Sequence, residues 1–129
     1  MTCFWDGIIS SLNKDDLNIL GLAERPRPGQ LVTRLKQLNR KTPGIYWESK
    51  SLHFNEIEEN YIHVRDFQHQ SIHNGYLCSI CDPFLCLICQ LLKVNINHTY
   101  LNNTVHYSIK NARKTLHYSS NRGHFWKKK

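Results

Sequence analysis

A chain of 129 residues has the length of one domain, residues 1–129, and is long enough to bury a real core. Its 21% charged and 40% hydrophobic residues exclude wholesale disorder. No apolar run approaches the roughly eighteen residues of a membrane span, and no basic segment followed by an apolar core marks a cleaved leader. A membrane partner is therefore not expected. The net charge of +7 favours acidic partners, but Lys127, Lys128 and Lys129 carry three of those charges at an end expected to fray. Charge alone does not call for nucleic acid. Five cysteines, four of them between Cys78 and Cys89, do not make a secreted disulfide framework. Reduced thiols in cytoplasm fit that usage better.

The first predicted element is a helix from Cys3 to about Leu12, with Phe4, Ile8 and Leu12 on one stripe and Trp5 and Ile9 beside it. The Thr2 hydroxyl can cap its first turn, and Gly7 lets another segment come close. Asn13 to Leu22 reads as a second short helix, capped by Asn13 and acidic at its start. A rigid connector, Arg25 to Gly29, precedes a helix over Gln30 to Asn39 with Leu31, Leu35 and Leu38 on one face. Pro43-Gly44 is a turn, and Ile45, Tyr46 and Trp47 make a short strand. Asn55 is expected to cap a helix that ends at Phe67, and His69 to Ser79 reads as a loop.

Asp82-Pro83 is a strong helix start, a capping residue followed by proline in the first turn. Phe84 to Leu92 is apolar nearly all round, so this helix should be buried at the centre. After Lys93 the period switches to two. Val94, Ile96, His98 and Tyr100 alternate with polar residues; Val105, Tyr107 and Ile109 do so again, then Leu116 and Tyr118. Asn102-Asn103 supplies a turn. The C-terminal third is thus expected to be a small antiparallel sheet ending near His124, giving an α+β domain with helices packed on that sheet.

A thiol nucleophile needs an imidazole to draw off its proton and later to protonate the leaving group. It also needs donors for an oxyanion, which the free N–H groups of a helix start supply. Cys3 stands at such a start, where the helix dipole also favours a thiolate. His124, beside Gly123 and before Phe125 and Trp126, can serve it if the last strand lies against the first helix. The bland reading makes Cys3 an ordinary thiol and His124 one of eight histidines.

The order of features resembles the ovarian-tumour-type (OTU) papain-like cysteine proteases, particularly compact viral deubiquitinases. Cys3-Phe4-Trp5-Asp6-Gly7-Ile8-Ile9 is similar to that family's opening of the catalytic helix. Asp82 to Ile96 is similar to its buried helix running into a core strand, and Thr115 to Phe125 to its closing strand and histidine. The resemblance implies a papain-like fold, with Cys3 as nucleophile and His124 as general base and acid. It implies an oxyanion site at the backbone of Thr2 and Cys3, and no cofactor. The substrate it implies is a ubiquitin or ubiquitin-like tail in the host cytoplasm, or the chain's own viral polyprotein. Trp5, Trp126 and Tyr76 are the aromatics expected to hold that substrate. Only Met1 and Thr2 precede Cys3, and Trp126 stands where many members carry an acid or amide. A bare Cys–His dyad follows, with Asn121 or Asp6 left to orient the imidazole.

The rival signal is the pair of C-x-x-C units Cys78–Cys81 and Cys86–Cys89. Paired knuckles of this kind supply the four thiolates of a zinc site. Here the gap between them is only four residues, and Cys86 and Cys89 fall inside an apolar helix, which is the habit of packing cysteines. A non-enzymatic zinc- or RNA-binding module centred on Cys78 to Cys89 and on Arg34, Lys36, Arg40 and Lys41 is the alternative reading. The other histidines read as structural, with His98 and His117 on the exposed face of the sheet.

Overall fold

The computed structural model describes residues 2–76, 78–79 and 81–128. Leu77 falls in the expected loop, Ile80 in the first C-x-x-C unit and Lys129 in the terminal lysine run; these and Met1 lie outside the described residues. The chain folds in the order α1 (Cys3–Ser11), α2 (Lys14–Ile19), α3 (Pro28–Gln37), β1 (Ile45–Trp47), β2 (Lys50–Ser51), α4 (Phe54–Asp66), a 3-10 turn (His69–Asn74), α5 (Pro83–Leu92), β3 (Asn95–Tyr100), β4 (Asn103–Ile109), β5 (Thr115–Ser120) and β6 (Phe125–Lys127). It is a mixed α+β domain: helices on one open sheet, in the strand order β2-β1-β4-β3-β5-β6.

The helix starts follow local chemistry. Asn13 Oδ1 accepts from the Asp16 amide at 2.9 Å while Asp16 Oδ2 accepts from the Asn13 amide, a reciprocal cap on α2. Asp82 Oδ1 accepts from the amides of Phe84 and Leu85, with Pro83 in the first turn of α5. For α4 the cap is His53, not Asn55: His53 Nδ1 accepts from the Asn55 amide and Glu56 Oε1 accepts from the His53 amide. An imidazole nitrogen serves as acceptor as well as an amide oxygen does, so the helix begins earlier than the Asn55 signal implied.

The helix ends account for much of the positive charge. Arg25 donates to the carbonyls of Ile9 and Leu12 at the end of α1, and Arg34 to Leu20 beyond α2. Lys36 donates to Phe67 beyond α4, while Arg40 and Arg113 donate to Gln90 and Leu92 of α5. Unpaired carbonyls and the negative end of the helix dipole make these natural sites for cations. Lys41 pairs with Glu58 at 2.6 Å. The basic run from Arg34 to Lys41 is thus distributed over three helix ends and one ion pair, not gathered in a groove.

The sheet departs from expectation in one ladder. β3 pairs antiparallel with β4, but parallel with β5 from Asn95↔Thr115 to Tyr100↔Ser120. β4 brings the chain back to the starting end of β3, and a short link then crosses that end and sends β5 out again on the other side. A strand placed this way must run with β3. Alternation decides the faces: Ile96, His98, Tyr107, Leu116, Tyr118 and Phe125 are buried against the helices, while Thr104, His106, His117 and Trp126 are exposed on the other side. The correction this forces is His98, expected on the exposed face and only 4% exposed. His117 does lie on the outer face.

The crossing link is held by Asp16. Its side chain is fully buried and accepts from Arg113 at 2.8 Å and from Lys114 at 2.6 Å, tying α2 to the start of β5. Burial alone would raise this carboxyl, but the bonds from Lys114, Arg113 and Asn13 outweigh it and hold it below the ordinary value. A lowered native value means the contribution is complete above the ordinary carboxylate range and is lost as pH falls through the native one. Asp16→Asn is therefore expected to cost roughly 2–3 kcal/mol at neutral pH. Denaturant unfolding at several pH values should show the gap to wild type closing between about pH 5 and pH 2. A gap that stays constant with pH would mean that the charge of Asp16 does not matter.

Candidate active site

α1 presents Cys3 as its first residue, and Cys3 Sγ lies 3.7 Å from His124 Nδ1. The two are 121 positions apart in the chain and both reach solvent. Three local arrangements bring them together. Asn121 Oδ1 accepts from the amides of Gly123 and His124, at 3.0 and 2.9 Å, and the Asn121 amide donates to the His124 carbonyl. This closes the turn that carries the imidazole. β6 pairs with β5 through Ser120↔Phe125 and Ser119↔Trp126. The third arrangement is Gly7: a Cβ there would stand 2.7 Å from Phe125 Cδ1, so only glycine lets β6 lie this close to α1. Phe125 is itself wedged among Phe4, Tyr118 and His98, with ring centroids 4.7 to 5.3 Å away.

At the helix start, Thr2 does not cap. Its hydroxyl donates instead to Asp6 Oδ2 at 2.6 Å, and its backbone carbonyl accepts from the Asp6 amide. The hydroxyl proton thus goes to a charged acceptor one turn ahead. Among the described residues this helix start, with Cys3 in its first turn, has no side-chain cap. This is the arrangement an oxyanion requires. Asn121 and Asp6, the two candidates for orienting the imidazole, make no bond to the His124 ring among the described residues. Asn121 acts on the backbone of His124, and Asp6 on Thr2.

The expected substrate aromatics separate. Trp126 is exposed on β6, one residue beyond the buried Phe125. Trp5 is corrected: it is wholly buried, edge-on to Phe4 and Phe84 at 4.8 and 4.9 Å. Two positions along a helix turn the side chain about 200° away, so Trp5 faces the core when Cys3 faces solvent. Tyr76 is corrected too. Its ring packs on Phe4 at 4.6 Å and its hydroxyl donates to Asp82 at 2.8 Å, so it belongs to the core cluster and not to an open loop.

The cysteine cluster divides as well. Cys86 and Cys89 are buried in α5, and burial pushes the Cys89 thiol up. Among the described residues no three histidine, cysteine or acidic side chains converge to hold one metal ion. Cys78 finds a different partner: its sulfur lies 3.7 Å from His98 Nδ1, and His98 Nε2 sits 2.6 Å from Ser120 Oγ. This second Cys–His pair was not foreseen, because His98 was placed on the wrong face. The two pairs have the same separation and opposite surroundings. Burial drives the Cys78 thiol up and the His98 imidazole down, which opposes the charged thiolate–imidazolium form. Cys3 and Cys78 are both partly exposed, but the His124 imidazole is exposed where that of His98 is buried.

Beside the Cys3–His124 pair lies a groove of about 860 Å³. Thr2 and Asp6 line it together with Leu22, the start and outer face of α3 and the 3-10 turn, while Cys3 and His124 lie outside the lining. No sequence signal marked this groove, since its walls come from three separate segments. No helix among the described residues is long and apolar enough to cross a membrane. No protein-family model matches the chain, and no curated protein or solved structure matches it at a significant level.

Proposed function

We propose that this chain is a thiol-dependent hydrolase of peptide or isopeptide bonds, a papain-like enzyme of OTU type with Cys3 as nucleophile. The observation that carries the reading is the 3.7 Å approach of Cys3 Sγ to His124 Nδ1 at an uncapped helix start. His124 takes the thiol proton, and Cys3 Sγ attacks the scissile carbonyl. The first-turn amides at Thr2 and Cys3 receive the negative oxygen. His124 then protonates the departing amine, and water, activated by the same imidazole, releases the acyl group from sulfur. The apo separation is long for a hydrogen bond, and such contacts tighten when substrate arrives.

The substrate class follows from the resemblance of the Cys3–Ile9 and Thr115–Phe125 segments to viral deubiquitinases. It is a ubiquitin or ubiquitin-like C-terminal tail in the host cytoplasm, with the chain's own polyprotein as a further target. The groove reaching Thr2 and Asp6 offers space for an extended tail. A ubiquitin bearing a C-terminal electrophile should add one covalent label to wild type and none to Cys3→Ala, read by mass spectrometry. Unlabelled wild type, in a sample whose Cys3 still reacts with iodoacetamide, would remove ubiquitin from the reading and leave the thiol chemistry.

A further inference from the structure

Asp82 caps α5, and a cysteine stands at each of the two positions that meet across such a cap. Cys81 immediately precedes Asp82, and Cys86 follows it one turn into the helix. Side chains at these two positions pack on each other where a chain enters a helix. The Cys86 amide donates to the Asp82 carbonyl at 2.9 Å, which closes that turn under the incoming segment. The thiols differ in access: Cys81 is partly exposed and Cys86 is wholly buried. The neighbouring Cys86 is what chiefly holds the Cys81 thiol below its ordinary value, against burial and the charges of Glu56 and Asp82. Cys81 and burial in turn push the Cys86 thiol well up.

The C-x-x-C spacing would pair Cys81 with Cys78, but their surroundings divide them. The Cys78 sulfur meets His98 of β3 at 3.7 Å, on the sheet side, whereas Cys86 accepts from Asn60 Nδ2 of α4 at 3.9 Å. Cys81 is acted on by Cys86 and by Glu56 and Asn60 of α4, so it belongs to the Cys86 side of the cap.

We infer that Cys81 and Cys86 form a reversible oxidation site, closing to a disulfide when hydrogen peroxide reaches Cys81. The Cys81 thiolate attacks one peroxide oxygen; an S–O bond forms, the O–O bond breaks, and the departing hydroxide takes up the released thiol proton as water. The Cys86 thiol then attacks the sulfenic sulfur of Cys81. An S–S bond replaces the S–O bond, and the hydroxide leaves with the Cys86 proton as a second water. Two electrons pass from the sulfurs to the peroxide. A low-molecular-weight thiol reverses the change by exchange and ends as its own disulfide. An accessible cysteine biased toward thiolate, with a second thiol beside it, is the arrangement that peroxide-sensing cysteines share. Cys78 and Cys89, whose thiols burial pushes up, lack it. The site is independent of Cys3 and of the hydrolase reading.

Asp82 is the last aspartate of the chain, so proteolysis before aspartate puts Cys78 and Cys81 on one peptide and Cys86 and Cys89 on another. Full-length Cys3→Ala protein, free of the competing thiol on α1, would be treated with hydrogen peroxide, alkylated with iodoacetamide under denaturing conditions, digested and read by mass spectrometry without reduction. The two peptides should appear joined, lighter than their sum by two hydrogens, and should separate after dithiothreitol. The joint should persist in Cys78→Ser and Cys89→Ala and vanish in Cys81→Ser. Cys86→Ala should lose it too; should that buried substitution unfold the protein, the partly exposed Cys81→Ser still decides. A disulfide confined to one peptide, a joint that survives Cys81→Ser, or one lost with Cys78 or Cys89 would overturn the inference. So would a Cys81 that stays a free thiol, or one carried to sulfinic acid without joining Cys86.

Discussion

Alanine at His124 is expected to reduce cleavage by about 100- to 10,000-fold, with KM changed little. The imidazole lies 3.7 Å from the Cys3 sulfur and outside the groove lining, so under the proposed mechanism its loss would remove proton transfer and leave peptide binding intact. A catalytic base supplies stabilisation realised only in the transition state, which appears in kcat. The informative comparison is with His98→Ala. That ring contacts a thiol at the same 3.7 Å separation, yet it is buried, and burial opposes the charged pair. His98→Ala should lower stability through the lost contact with Phe125 and the orphaned Ser120 hydroxyl, and its kcat should remain near wild type wherever the protein is folded. Steady-state kinetics on the two variants decides the assignment. Loss at His98 with activity retained at His124 would mean that the nucleophile is Cys78.

Alanine at Asp82 is expected to destabilise the fold by about 3–5 kcal/mol, the largest effect foreseen for any single side chain away from the dyad. This carboxylate is fully buried and organises the segment that leads into α5. Oδ2 accepts from the Tyr76 hydroxyl at 2.8 Å and the Ser79 amide at 3.0 Å, and Oδ1 accepts from the amides of Phe84 and Leu85. Burial raises this carboxyl, and those four donors only partly offset it. Truncation leaves these donors without their acceptor, and those of Phe84 and Leu85 are buried. Each such orphan costs about 1–3 kcal/mol, and losing a helix cap about 1 kcal/mol. A domain of this size has about 5–15 kcal/mol in all, so much of the reserve would go. Asp82→Asn keeps an acceptor for the α5 cap but turns an NH2 group toward Tyr76 or Ser79, and should lose about half as much. Guanidinium unfolding midpoints measure both. A change below about 1 kcal/mol for Asp82→Ala would show that the network contributes little.

What was legible in the chain was local. Cys3 at a helix start, Asp82-Pro83 opening a buried helix, and period-two runs after Lys93 each reflect a chemical preference within a few residues, and each element appears close to its expected place. The approach of His124 to Cys3 was readable only as a condition on the last strand. Gly7 was the hint that something would come close, and Phe125 is what does. What failed depended on neighbours far along the chain. His98 shares the buried face of β3 with Ile96, and its partners Cys78 and Ser120 come from segments about twenty residues away on either side. The parallel β3–β5 ladder has the same origin. Trp5 stands two residues from Cys3 along the chain but about 200° from it around the helix, and that angle puts it in the core. The groove combines residues from α1, α3 and the 3-10 turn, and no single stretch carries its signature.

The wide spacing of the dyad along the chain has a consequence for biosynthesis. During synthesis Cys3 precedes His124 by 121 positions. The contact between them therefore forms only once β6 has docked on β5 and Phe125 has seated against Gly7. Under the proposed hydrolase reading, a product that stops short of His124 would hold the thiol without the imidazole.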